Sequence, residues 1–93
     1  MAFEIKFPEY LEGYEFATES KGYLVDVVIR SGTRMCRLTI YDPGRLQQEI
    51  ADEIHAAGSL ALSNVLIVEK VTREYVIDAL SERVESEFCW QDA

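Results

Sequence analysis

The sequence predicts an α+β fold, with a mostly antiparallel sheet, two helices packed on one face and the element order β-β-β-α-β-α. Three observations predict it. Two runs rich in β-branched residues, 23–30 and 33–41, flank a Gly-containing turn. Two later segments, 46–57 and 76–88, repeat apolar residues at helical spacing behind a capping residue. A short apolar run, 65–68, lies between them. No internal repeat, low-complexity tract or linker divides the chain, and 93 residues leave room for one core, so residues 1–93 read as a single domain.

Residues 1–12 are ambiguous. Phe3, Ile5 and Phe7 alternate as in a short strand, whereas Pro8-Glu9-Tyr10-Leu11-Glu12 equally suits the opening of a helical turn. Tyr14-Glu15-Phe16-Ala17-Thr18 alternates and is followed by Glu19-Ser20-Lys21-Gly22, which has turn chemistry, so a first meander strand is expected there. It would set Phe16 beside Val25. The hairpin comes next, with Ser31-Gly32 as its loop, Val27 opposite Cys36, Val25 opposite Leu38 and Asp26 opposite Arg37. Tyr23, Val25, Val27, Ile29, Cys36, Leu38 and Ile40 then form an apolar face whose only charge is Arg34, and a one-residue slip would mix the two faces.

Asp42-Pro43 has the chemistry of a helix start, with Asp as N-cap and Pro at the first helical position. Leu46, Ile50, Ile54 and Ala57 share one face of that helix and Gly58 ends it. Residues 65–69 lack clean alternation, as expected for a strand covered on both sides or central in the sheet. Thr72 caps a second helix with Glu74 in its first turn and an apolar stripe of Val76, Ile77, Leu80, Val84 and Phe88.

The formal net charge of −8 is unevenly distributed. Residues 1–20 carry five acids and one base, residues 21–48 carry two acids and five bases, and residues 49–93 carry ten acids and three bases. Such a balance repels a phosphate backbone, so nucleic acid is not an expected partner. Membrane insertion is not expected either, since the longest pure apolar run is Val65-Leu66-Ile67-Val68 and a spanning helix needs about 20 residues. The start lacks the apolar stretch of a signal peptide. Cys36 and Cys89 read as reduced thiols, which together with the start suggests a cytoplasmic protein.

A nucleophile needs a base within hydrogen-bond reach, and His55 is the only imidazole. It is predicted on the polar side of its helix, while Cys36 is predicted to be buried and inert and Cys89 to lie among acids that disfavour a thiolate. A metal site of two Cys and one His would use every soft ligand in the chain. The acid pairs Asp52/Glu53 and Glu49/Glu53 lie on predicted solvent faces without a calcium-loop pattern. No catalytic residue, metal or cofactor is therefore expected.

What remains is association. The second sheet face carries Leu24, Asp26, Val28, Arg30, Met35, Arg37, Thr39 and Tyr41, a mixed apolar and arginine-bearing surface suited to a protein interface. Trp90 either closes the core edge or projects as an anchor beside it. The expectation is a small, acidic, bacterial-type protein that binds protein without catalysis, as a homodimer. One alternative is an inhibitor or immunity protein that captures a basic toxin or enzyme, steered by the −8 charge. Another is a small-ligand or anion-binding domain built on Asp42, Gly44 and Arg45 at a helix N-terminus.

Overall fold

The computed structural model of the chain describes residues 3–92. In order these form β1 (Glu4–Lys6), a 3₁₀ turn (Glu9–Leu11), α1 (Glu15–Lys21), β2 (Tyr23–Ser31), β3 (Arg34–Tyr41), α2 (Pro43–Ala57), β4 (Val65–Ile67), α3 (Arg73–Ser81), a second 3₁₀ turn (Glu85–Glu87) and β5 (Gln91–Asp92). The sheet runs β1-β2-β3-β4, with β5 also paired to β3. Only β3 and β4 are parallel among these pairs. The α+β class is as the sequence predicts, but the order β-β-β-α-β-α is not observed. The expected strand at 14–18 is part of helix α1, and the ambiguous residues 4–6 supply the strand that pairs with β2.

Local chemistry explains the difference. Residues 15–21 place Glu15 in the first helical turn and Lys21 in the last, complementing the helix dipole. Gly22 then stops the helix in the left-handed region at φ 79°. The alternation of Tyr14 and Phe16 reflects no buried face, since they are 64% and 84% exposed. Gly22 is also the joint to α2. Its carbonyl accepts from the Asp42 N–H at 2.8 Å, and a Cβ there would lie 2.5 Å from the Asp42 carboxylate.

The hairpin turns at Gly32-Thr33 rather than Ser31-Gly32, with Ser31 paired to Arg34, Ile29 to Cys36 and Val27 to Leu38. Gly32, at φ 63°, takes the first turn position, where a type II′ turn calls for glycine. The shift from the expected register is two residues, so the faces near the turn are unchanged. Further along they do change. A β-bulge between Leu24 and Val27, with Asp26 at φ 65°, reverses the parity of the strand. Leu24, expected on the open face, is 2% exposed in the core, and Val25, expected in the core, is 37% exposed. The Tyr10 hydroxyl fills the bulge, donating to the Val25 carbonyl at 2.8 Å and accepting from the Val25 N–H at 3.2 Å.

The core lies on one sheet face. Leu24, Val27, Ile29, Cys36, Leu38, Ile40 and Leu66 pack with Leu11, Val68, Val71 and the α3 residues Val76 and Leu80. Thr72 caps α3, its hydroxyl oxygen accepting from the Tyr75 N–H at 3.3 Å. The predicted stripe ends early, leaving Ile77 and Val84 exposed, and Phe88 returns to the core through the second 3₁₀ turn. Phe3, Phe88 and Trp90 form an aromatic rim with ring centroids 5.6 to 6.4 Å apart. Trp90 thus closes the core edge and does not belong to the open face. β4 is an edge segment, not a central strand, and its Ile67 is 50% exposed.

Helix α2 has the caps the sequence predicts. Asp42 Oδ1 accepts from the Arg45 N–H at 2.7 Å, and Gly58 closes the far end with its N–H on the Ile54 carbonyl at 2.9 Å. Yet no α2 residue belongs to the core, so the two helices are not packed on one face. The N-terminal residues Phe3, Phe7 and Leu11 and the C-terminal Phe88 and Trp90 join α3 in covering that face.

Candidate protein interface

Two unburied surfaces meet where α2 leaves the sheet. From Ile50 to Ser59 every residue is exposed, and only Arg45, Leu46 and Glu49 of the helix are half-buried. Its apolar stripe includes Ile50 and Ile54, 40% and 48% exposed. A helix of 15 residues is about 22 Å long, and an isolated one of that length is marginal in water. The contrast with α3, whose Val76 and Leu80 are fully buried, places α2 outside the unit that holds the fold together.

The second surface is the sheet face opposite the core. Val28, Met35, Thr39 and Val65 are half-buried there, while Lys6, Arg30, Arg37 and Ile67 are exposed. Shallow grooves of about 280 Å³ (Glu4, Ile5, Lys6, Val28, Arg30, Met35) and about 400 Å³ (residues 6–10, Asp26, Val28, Arg37) cross it, and neither is lined by a residue of α1, α2 or α3. Asp26, displaced by the bulge, meets Arg37 Nη1 at 3.4 Å with both side chains more than half exposed, a geometry that contributes little to stability. Of the residues expected on this face, Val28, Arg30, Met35, Arg37 and Thr39 lie on it, and Tyr41 lies at its rim.

At the rim the face is closed by aromatic rings. Tyr23 and Tyr41 stack at 6.4 Å, with the Arg45 guanidinium 4.7 Å and the Lys21 ammonium 5.6 Å from the Tyr23 ring centre. Burial, followed by the nearby Glu49 charge, pushes the Tyr41 hydroxyl above its ordinary range. Tyr41, expected to be an open-face contact, is only 9% exposed. The expected anion cradle of Asp42, Gly44 and Arg45 sits at this corner. Its first-turn amide is capped by the chain's own Asp42 carboxylate, and the Arg45 side chain lies over Tyr23.

Sequence reasoning missed one feature, a groove of about 520 Å³ between α1 and the start of α3. Leu11, Leu24 and Val71 line it with Phe16 and Tyr75, and Glu15, Glu19 and Glu74 share it with Lys70 and Arg73. Arg73 reaches Glu12 at 3.3 Å and Glu15 at 3.6 Å. Tyr75 donates to Glu69 at 2.9 Å, and that hydrogen bond leads the causes that raise its hydroxyl above the ordinary value. The signal was present in the spacing of Glu15 and Glu19, but it emerges only once residues 15–21 are read as a helix.

Cys36 is buried and Cys89 exposed, and burial, followed by the nearby Cys89, pushes the Cys36 thiol up. Among the described residues no group of three or more His, Cys, Asp or Glu is placed to hold a metal ion, and no helix is long and apolar enough to cross a membrane. Comparison with protein-family models, curated proteins and solved structures finds no match to this chain.

Proposed function

We propose that this chain is a protein-interaction domain that acts as a homodimer, with α2 and the open sheet face as its binding surfaces. One observation carries the reading: a capped amphipathic helix of 15 residues has no buried residue. Covering Ile50 and Ile54 removes apolar area from water at about 25 cal/mol per Å². The test is the solution mass of the full chain by light scattering across the micromolar range. A mass of twice the chain supports the reading, and the mass of a single chain throughout refutes it.

A second reading, capture of a basic protein, is favoured by the groove between α1 and α3, where acids outnumber bases and Phe16 is 84% exposed. Association through that groove would be steered by charge, so its on-rate would fall steeply with added salt. An on-rate insensitive to salt would rule it out.

A further inference from the structure

We infer that in the dimer α2 of each copy lies across the open sheet face of the other, a reciprocal exchange of helices. The inference rests on the homodimer reading and specifies its geometry. Three observations carry it.

The first is complementary charge. On α2, Glu49 and Glu53 are one turn apart and flank the same side of the Leu46, Ile50 and Ile54 stripe. On the sheet face, Arg30 and Arg37 stand exposed beside half-buried Val28 and Met35. An apolar ridge edged with acids thus faces an apolar floor whose bases on the strands, Lys6, Arg30 and Arg37, outnumber its acids there, Glu4 and the Asp26 paired to Arg37. The groove between α1 and α3 carries Glu15, Glu19 and Glu74 against Lys70 and Arg73, an excess of acid that disfavours the same helix. A two-fold antiparallel pairing of α2 with itself would set Glu49 and Glu53 of one copy beside the same acids of the other.

The second is area. The exposed residues 50–57 of α2 span about 12 Å and, at a width of about 10 Å, cover roughly 120 Å², so two reciprocal contacts, counted on both surfaces, bury roughly 480 Å² from the helix footprints alone. One α2–α2 contact supplies about half as much. The third is position. Arg45 in the first turn lies over Tyr23, whose partner Tyr41 is on the open face, so α2 departs from the rim of the surface it would cover. A two-fold axis near that rim brings each helix over its neighbour's sheet.

Charge reversal in pairs tests the exchange. Glu49→Lys with Glu53→Lys sets lysines against arginines at both contacts, and Arg30→Glu with Arg37→Glu sets acids against acids. Each double variant alone should dimerise at least about tenfold more weakly than the parent chain. An equimolar mixture should recover dimerisation, because both contacts of the mixed dimer regain opposite charges. The parent dimer should also dissociate more readily as salt is raised, a measurement independent of how the variants fold. A parent dimer indifferent to salt, or an Arg30→Glu, Arg37→Glu chain that dimerises like the parent, would overturn the exchange and leave the homodimer standing. A monomeric parent chain would overturn both.

Discussion

Replacing Gly22 with alanine tests the joint between α1, the sheet and α2. The residue sits at φ 79°, where an L side chain costs about 1 to 2 kcal/mol. Its new Cβ would also lie 2.5 Å from an Asp42 carboxylate oxygen, so Asp42 must move. Moving it gives up the 2.7 Å cap on the Arg45 N–H, and a lost N-cap costs about 0.5 to 2 kcal/mol. Together these amount to roughly 2 to 4 kcal/mol, or a fall in Tm of about 10 to 25 °C for a domain of this size. Gly32→Ala is the control, since φ is 63° but nothing lies within 4 Å of its would-be Cβ. It should lose only the backbone share, about 1 kcal/mol. Thermal and urea unfolding of Gly22→Ala, Asp42→Ala and the double variant measure the coupling. In the Asp42→Ala background the Gly22→Ala loss should shrink to that of Gly32→Ala. If Gly22→Ala costs no more than Gly32→Ala, or costs the same with and without Asp42, the joint is not as described.

Further expectations follow from the same contacts. Tyr10→Phe removes the hydroxyl that fills the bulge and should lower the urea-unfolding free energy by about 1 kcal/mol, a small figure because the site is solvent-accessible. Burial raises the Tyr10 and Tyr41 hydroxyls above 10.0, so the folded chain keeps these protons longer than the unfolded one. Their contribution is full below about pH 10 and lost as pH climbs through the folded values, so urea midpoints should drop in alkali, and drop less in Tyr10→Phe. Leu80→Ala empties a fully buried core position and should cost about 2 to 5 kcal/mol, whereas Ile54→Ala, at a half-exposed position, should shift dimerisation far more than the stability of one copy. A maleimide should label Cys89 rapidly in the folded protein and Cys36 only on unfolding.

The parts legible in the sequence are those set by local chemistry. Asp42-Pro43, Gly58 and Thr72 mark helix ends because capping acts within one turn, and the helices begin or end there. Val27, Ile29, Cys36, Leu38 and Ile40 were identifiable as core because two-residue alternation survives a two-residue change of register. Other parts depend on contacts distant in sequence. The bulge at Asp26 is held by Tyr10, 15 residues upstream of Val25, and no pattern within β2 announces it. Leu24 therefore moved from open face to core. Trp90 found its place through Phe3 and Phe88, whose association only the closed fold defines. The stripe of α2 was visible from the start, but amphipathicity says that a face must be covered and not which chain covers it.

Amide hydrogen exchange along α2 tests the central claim most directly. A lone helix of this length opens readily, so residues 50–57 of an undocked arm would exchange near the rate of an unstructured chain. The account predicts that in the intact protein these amides are protected to within about tenfold of those in α3. Unprotected exchange across residues 50–57, alongside full protection of Val76 and Leu80, would contradict it.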